Sequence, residues 1–422
     1  MKTLLISTSD RNGGAAIACS RIFNALRNNG VDVKMLVRDK ISDDKDIFTV
    51  NTNFFRKVAN FFSFCFERVE IAFALKSLKR KKLFAVSTGR FGVYDLVNNP
   101  LVKEADVINI HWASQGMLSI KALKKLISMK KKIVFTMHDM HYFTGICHYT
   151  SLCTNFTLGC GNCFYISNGS KNRDLSNRFF KKKISIPNRN NIKYIACSNW
   201  LADIAKTSKM MIENEIFSVP NPIDTKIFRC NNVEIARKRW NLGEKKVILC
   251  GAANFSDPRK GYSFLIDALK YIHNIFPKYD NEIELLVFGN GDISAFNQLP
   301  YNVVKAGYIN SEVDMAQLYS AGDVLVTPSL EDNLPNTIME SLSCGTPCVA
   351  FNVGGISQMI EHKVSGWLAK PNDFNDLANG ILYILFEADY NKLTQNSRLK
   401  VETEFSEPVV AMKYNEIFRN IN

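Results

Sequence analysis

The residues best placed to do chemistry in this chain are acids, cations and a histidine arranged as if around a phosphorylated, hydroxyl-rich ligand. Glu331 and Asp332 fall in a turn after the apolar run VLVT, which reads as a buried strand, and Glu340 follows eight residues past Asp332 on the next helix. Pro335 can open that helix, because a first turn needs no amide donor, and Cys344-Gly345 can close it, because glycine tolerates a left-handed cap. The amides of Asn333 and Leu334 would then face the carboxyl end of the strand, where open parallel sheets bind ligands. A carboxylate such as Glu340 can accept two hydrogen bonds from vicinal hydroxyls, as recognition of a ribose requires. An isolated Glu is more simply a solvated one, but Met339, Leu342 and Cys344 argue for burial, where an unpaired carboxylate is costly. Lys260 follows the strand KVILCG by the short loop AANFSDPR, so its ammonium could reach a diphosphate at the same sheet edge, with Arg259 beside it. Alone, the two would read equally as solvated charges at a helix start. His138-Asp139 ends the strand KKIVFTM; Asp139 could fix the tautomer of His138, and a histidine that merely closes a strand is the plainer alternative. Gly13-Gly14, after the first apolar run, would let the backbone approach a phosphate or sugar, although paired glycines often mark only a tight turn.

The segment from Val326 to Phe351, VTPSLEDNLPNTIMESLSCGTPCVAF, resembles the signature of the retaining glycosyltransferases of family 4, which have the two-domain GT-B fold. It shares their PS, second acid, small-residue helix, CGTP and closing strand. It departs at the first acid: Asp332 stands in register where the family has Glu, Glu331 lies one position early, and Asn333-Leu334-Pro335 replaces Gly-Phe-Gly. The family also places an Arg where this chain has Ala252, leaving Arg259 as the nearest substitute. The loop HDMHYFTGICH is similar to one carried by polysaccharide-assembly members of the family.

The elements that must hold these residues alternate. In the first half VDVKMLVR, ADVINIHW, KKIVFTMHD and YIACS are short apolar runs separated by helix-like segments, and the second half restarts with KVILCGAAN, ELLVFGNG and VVKAGYI. This pattern predicts an α/β chain of two Rossmann-like, doubly wound parallel-sheet domains, which the resemblance sets facing across a cleft. We expect the first domain over residues 1–221, a Pro-broken linker over 222–244, the second domain over 245–404, and a helix over 405–422 that, by resemblance, crosses back to brace the first domain. Gly289, Gly291 and Gly354-Gly355 fall at comparable strand ends and read as turns on the nucleotide side.

Charge narrows the partners without choosing among them. An excess of 53 Lys+Arg over 40 Asp+Glu predicts attraction to an anionic partner, and nucleotide sugars, anionic lipid surfaces and nucleic acids all qualify. No nucleic-acid reading motif is present. Residues 54–82 hold eight basic side chains against two acids, crowded with phenylalanines at 54, 55, 61, 62, 64, 66 and 73. That composition points to an interfacial helix on an anionic membrane, with a helix packed on the first domain behind a basic outer face as the alternative. MKTLLIST reads as a first strand rather than a leader, since Asp10-Arg11 interrupt it, and no window offers the ~18 apolar residues of a membrane span. Eleven cysteines, an odd number set partly in strand and helix patterns, suit a reducing cytosol. Four of them, Cys147, Cys153, Cys160 and Cys163, lie in the Gly-rich loop 145–164 at a spacing suited to a structural zinc; two disulfides or free thiols are the alternatives, and His148 could replace one ligand.

The resemblance implies a retaining glycosyltransferase that moves a sugar from a nucleotide-diphosphate donor to a glycan, lipid-linked and at the inner face of the cell membrane, in bacterial surface polysaccharide synthesis. It implies His138 and Asp332 at the reacting sugar and Gly13, Gly14, Arg259, Lys260, Glu331, Asn333, Leu334 and Glu340 around the donor, with no cofactor required for catalysis. A GT-B epimerase, or a silent binding protein of the assembly machinery, are the other readings.

Overall fold

The computed structural model describes residues 1–75, 83–166, 173–186, 191–252, 254–255 and 257–421. Contacts divide the chain into two compact units, residues 1–221 with 410–422 and residues 222–409.

The first unit is built on a seven-stranded sheet: β1 (Thr3–Ser9), β2 (Val33–Asp39), β3 (Ile47–Thr49), β4 (Val107–Ile110), β5 (Lys132–Met137), β6 (Ile192–Ala196) and β7 (Ile216–Ser218), in the order β3-β2-β1-β4-β5-β6-β7. Every pairing is parallel. Buried on both faces, β1 is enclosed at all seven positions, and its apolar residues Leu4, Leu5 and Ile6 are consecutive rather than alternating. The helix Gly14–Asn28 packs Ile22, Phe23 and Leu26 onto one face, where the C-terminal helix Glu407–Arg419 adds Val410, Tyr414, Ile417 and Phe418 at helical spacing. The last helix thus returns to the first unit. Leu126 and Ile127 of the helix Ile120–Ser128 pack against the other face with Ile108, Ile133 and Phe135.

The second unit carries six parallel strands, β8 (Lys246–Ala252), β9 (Ile283–Gly289), β10 (Asn302–Gly307), β11 (Val324–Thr327), β12 (Cys348–Phe351) and β13 (Gly366–Ala369), in the order β10-β9-β8-β11-β12-β13. Residues 222–244, expected as a linker, are instead part of this unit. Ile223, Phe228, Ala236 and Leu242 are buried in one core with Val247 and Leu249, and Arg237 of the helix Val233–Arg239 pairs with Asp323 at 2.6 Å. The prolines that suggested a linker bend an apolar segment onto the sheet. The helix after β11 runs Asn336–Ser343 with Pro335 as its cap, and Gly345 closes it at φ 80°.

In each sheet the chain reverses its direction of winding once, between β1 and β4 and between β8 and β11. Loops at the carboxyl ends of strands flanking such a point splay apart and leave room for a ligand.

Candidate functional site

At the reversal point of the second sheet, three loops are tied together by backbone contacts. Asp257 accepts the amide of Arg259 and starts a short 3-10 turn, Pro258–Lys260, after β8. The carbonyl of Arg259 accepts the amide of Leu330 at 2.7 Å, joining this loop to the one after β11. Gly261, at φ 64°, lies so close to the Pro328 carbonyl that an added Cβ would sit 1.9 Å from its oxygen, so only glycine fits. Gly354, in the loop after β12, meets the Asp332 carbonyl in the same way, at 1.8 Å, and Gly355 donates its amide to that oxygen at 3.2 Å. The loops that carry Arg259, Lys260 and Asp332 are therefore joined by close backbone contacts.

Lys260 Nζ lies 2.6 Å from Asp332 Oδ2, a half-exposed ion pair joining residues 72 apart in the chain, and the Ser329 hydroxyl reaches the same carboxylate oxygen at 3.4 Å. The cation expected at a diphosphate and the acid expected at a sugar thus meet at one edge. Arg259 pairs with Asp257 at 2.8 Å. Asn333 and Leu334 are buried beside Asp332, and Ala252, in place of the family's Arg, is buried at the end of β8. Glu340 is 7% exposed and accepts the hydroxyl of Tyr319 at 2.8 Å. A protein group therefore holds Glu340, where the sequence suggested a ligand as its partner. Tyr319 is the residue that sequence reasoning missed, and its place on the helix Glu312–Ala321, 21 residues upstream, gives no local signal.

In the first unit, Gly13 takes φ 93° and opens the helix Gly14–Asn28 after β1. The carboxyl ends of β4 and β5 bring four of the six histidines together. His138 Nε2 lies 3.0 Å from His111 Nδ1, and Cys197 Sγ lies 3.3 Å from His138 Nδ1. Asp139 does not orient His138. Its Oδ2 accepts Trp112 Nε1 at 2.7 Å and lies 2.7 Å from His148 Nδ1, while Oδ1 accepts the amide of His141 at 2.9 Å. The Asp139 side chain folds back over the 3-10 turn Met140–Phe143 that it caps, away from its chain neighbour. The His148 ring stacks between Trp112 and His141. Burial of Asp139 is outweighed by the His148 ring and the three donors, and its carboxyl is held below the usual carboxylate range.

Burial lowers His138 to about 4 and holds His111 and His141 well below their ordinary value as well. Between pH 6.5 and 4 the unfolded chain would take up protons that folded His138 refuses, so this group contributes stability above 6.5 that is lost as pH falls. For His138 alone the loss is on the order of 3 kcal/mol. We expect the thermal midpoint of the first unit to drop across this window and His138→Gln to flatten the drop; a slope unchanged by that substitution would contradict the assignment.

The loop expected to hold a structural zinc carries Cys147, Cys153, Cys160 and Cys163. Among the described residues no three His, Cys, Asp or Glu side chains are grouped to hold an ion, and all four cysteines are free thiols. Cys147 is hydrogen-bonded to Cys163, Cys160 Sγ accepts the amide of Gly145 at 3.2 Å, and Cys153 is only part-buried. The hydrogen bond from Cys147 holds the Cys163 thiol below its ordinary value, and burial pushes Cys160 up to about 11.

The fold and the edge site define a class, and comparison with known proteins agrees with it. The family of "Glycosyl transferases group 1" matches residues 244–387, which include Lys260, Asp332 and Glu340. The match falls within the second unit, and the solved structures that the chain resembles share the GT-B fold with it. Sucrose-phosphate synthase from Thermosynechococcus elongatus superposes with a TM-score of 0.66 at 19% identity over 99% of this chain and 98% of that one. Anabaena HepE in complex with UDP-glucose does so with a TM-score of 0.62 at 16% identity over 99% of each. Among curated relatives, the UDP-Gal:alpha-D-GlcNAc-diphosphoundecaprenol alpha-1,3-galactosyltransferase of Escherichia coli is 25% identical over 46% of this chain and 51% of its own length. The amylovoran biosynthesis glycosyltransferase AmsK of Erwinia amylovora is 29% identical over 39% and 42%. The matches span about half the length of these curated relatives.

Proposed function

We propose that this protein is a retaining glycosyltransferase that moves a sugar from a nucleotide-diphosphate donor to a glycan acceptor, carried on a lipid, in bacterial surface polysaccharide synthesis. The observation that carries the reading is the Lys260–Asp332 pair at the reversal point of the second sheet, within the matched glycosyltransferase segment. Lys260 would exchange Asp332 for the donor diphosphate and stabilise the charge that grows on it as the glycosidic bond breaks. Asp332 would then be released to a sugar hydroxyl, and Glu340, steadied by Tyr319, would accept the ribose hydroxyls. Arg259 and the segment Glu331 to Leu334 would line the donor, while His138 and the Gly13-Gly14 turn of the first unit would serve the sugar end. His138 stays neutral at pH 7, so it would act as a hydrogen-bonding group rather than a cation. The curated relatives support the biosynthetic setting: one takes UDP-Gal and acts on a diphosphoundecaprenol-linked sugar, another serves amylovoran synthesis, and the Anabaena neighbour binds UDP-glucose.

A thermal-shift screen of the full chain against UDP-, GDP-, ADP- and CMP-sugars tests the reading. A ligand at a hundred times its dissociation constant stabilises by about 2.7 kcal/mol, so one donor class should raise the midpoint by several degrees. No shift with any of them would reject the donor site. Product analysis with and without a glycan acceptor separates transfer from epimerisation.

A further inference from the structure

The helix Phe54–Ala74 is built inside out. Beside the buried Ile71, its inward side is mostly polar: Asn60 donates to Asn51 at 2.8 Å and accepts the amide of Tyr94 at 2.7 Å. Glu67, fully buried, accepts the amides of Thr88 and Gly89 and pairs with Arg68 at 3.0 Å, and Arg68 donates to the carbonyls of Leu83 and Val86. Its outward side is apolar. Phe55, Phe62, Phe66, Val69 and Phe73, spaced as one helical stripe, are 82, 51, 55, 50 and 83% exposed. A helix that served only to cover this domain would show the opposite arrangement, and a contiguous exposed stripe of large apolar groups marks an interaction surface.

The stripe runs into a strongly basic groove. Phe66 packs on Phe91, with ring centroids 5.9 Å apart, and Arg90 covers Phe91 while pairing with Glu70 at 2.7 Å. Arg90 also lines a groove of about 500 Å³ with Lys121, Lys124, Lys125 and Lys182, and among the described residues no carboxylate lines it. Arg56 and Lys57 stand at the other end of the stripe.

We propose that this face docks on an anionic lipid bilayer, the stripe from Phe55 to Phe73 entering the interface while the groove receives lipid phosphates. The inference rests on the functional reading only in giving a lipid-linked acceptor a surface to be reached from. Charge selects the bilayer over a second copy of this chain: with a net charge of +13, pairing two such faces would set basic margin against basic margin, whereas anionic head groups neutralise both. Phenylalanine below and lysine or arginine at the rim is the pattern of helices that lie in a membrane interface. No described helix is long and apolar enough to cross a membrane.

The test is co-sedimentation of the full chain with vesicles of phosphatidylcholine alone and of phosphatidylcholine mixed with phosphatidylglycerol. Binding should require the anionic lipid. The triple substitution Phe62→Ser, Phe66→Ser and Phe73→Ser removes rings that are half or more exposed and should cut binding at least tenfold. Replacing Lys121, Lys124 and Lys125 with alanine should weaken it by roughly fivefold per lysine and remove most of its salt dependence. The single variant Phe62→Trp gives a separate readout, a blue shift of its emission on adding anionic vesicles. Binding that is unchanged in the triple variant, an unshifted Phe62→Trp emission, or a dimer or captured protein partner that occupies the face in place of vesicles overturns the proposal. Donor-induced thermal shifts measured on the same variants separate the two readings: intact shifts without vesicle binding sink the docking alone, and vesicle binding without donor shifts sinks the donor site alone.

Discussion

Lys260→Ala should lower the turnover of sugar transfer by about 10²- to 10³-fold while changing the donor KM far less. The argument is electrostatic. The turn Pro258–Lys260 and the Gly261 junction fix the backbone that carries the ammonium, so once donor binding has exchanged Asp332 for the diphosphate, no further movement is needed as charge grows on the leaving group. A group that meets growing charge contributes more to the transition state than to the bound donor. Ala252 sharpens the expectation: the Arg that family members place there is missing, and Arg259 is engaged with Asp257, so Lys260 carries a larger share of the cationic stabilisation. Steady-state kinetics with a saturating donor are the measurement. A variant with normal turnover and only a raised KM would move Lys260 from catalysis to plain binding. Lys260→Arg keeps the charge but widens the head group beside Asp332, and it should recover only part of the loss.

What the sequence disclosed and what it withheld follow from the range of the interactions involved. Alternating apolar runs with glycines at their ends marked both sheets, because burial on both faces makes each strand a continuous apolar stretch and the carboxyl ends need turns. The edge loop after β12 was legible for the same reason: Gly354-Gly355 is a local signal of a backbone approach that the structure then displays. Partners were not legible. Asp139 lies next to His138 in the chain, yet its side chain serves His148 and Trp112, because a cap on the following turn and two aromatic donors outweigh adjacency. Glu340 was read as needing a ligand, and Tyr319 answers part of that need from another helix. Residues 222–244 looked like a linker because proline content is local, whereas the burial of Ile223 and Phe228 depends on a sheet formed later in the chain. The crowding of phenylalanines over residues 54–82 was plain in composition. Which side of the helix they occupy was fixed only by the buried polar contacts of Asn60, Glu67 and Arg68, and Lys76, Lys79, Arg80, Lys81 and Lys82 lie outside the described residues.

Glu340→Gln should raise the donor KM by about 10²-fold and leave saturated turnover within a few-fold of normal, the reverse of the Lys260 pattern. A hydrogen bond to a charged acceptor contributes about 1.5–3 kcal/mol, and two bonds to vicinal ribose hydroxyls, formed equally in the ground and transition states, are uniform binding. The amide keeps an acceptor for the Tyr319 hydroxyl, so the fold should survive, whereas Glu340→Ala would leave that buried hydroxyl unpaired and cost stability as well. Tyr319→Phe is the internal control. It removes the support but not the carboxylate, and it should raise the donor KM by only about three- to tenfold, through a carboxylate less firmly aimed. Isothermal titration with the nucleoside diphosphate alone checks the origin of the effect, because the ribose contact is lost whether or not the sugar is attached. Equal affinity of wild type and Glu340→Gln for the nucleoside diphosphate would show that Glu340 is held by Tyr319 for the sake of the fold alone.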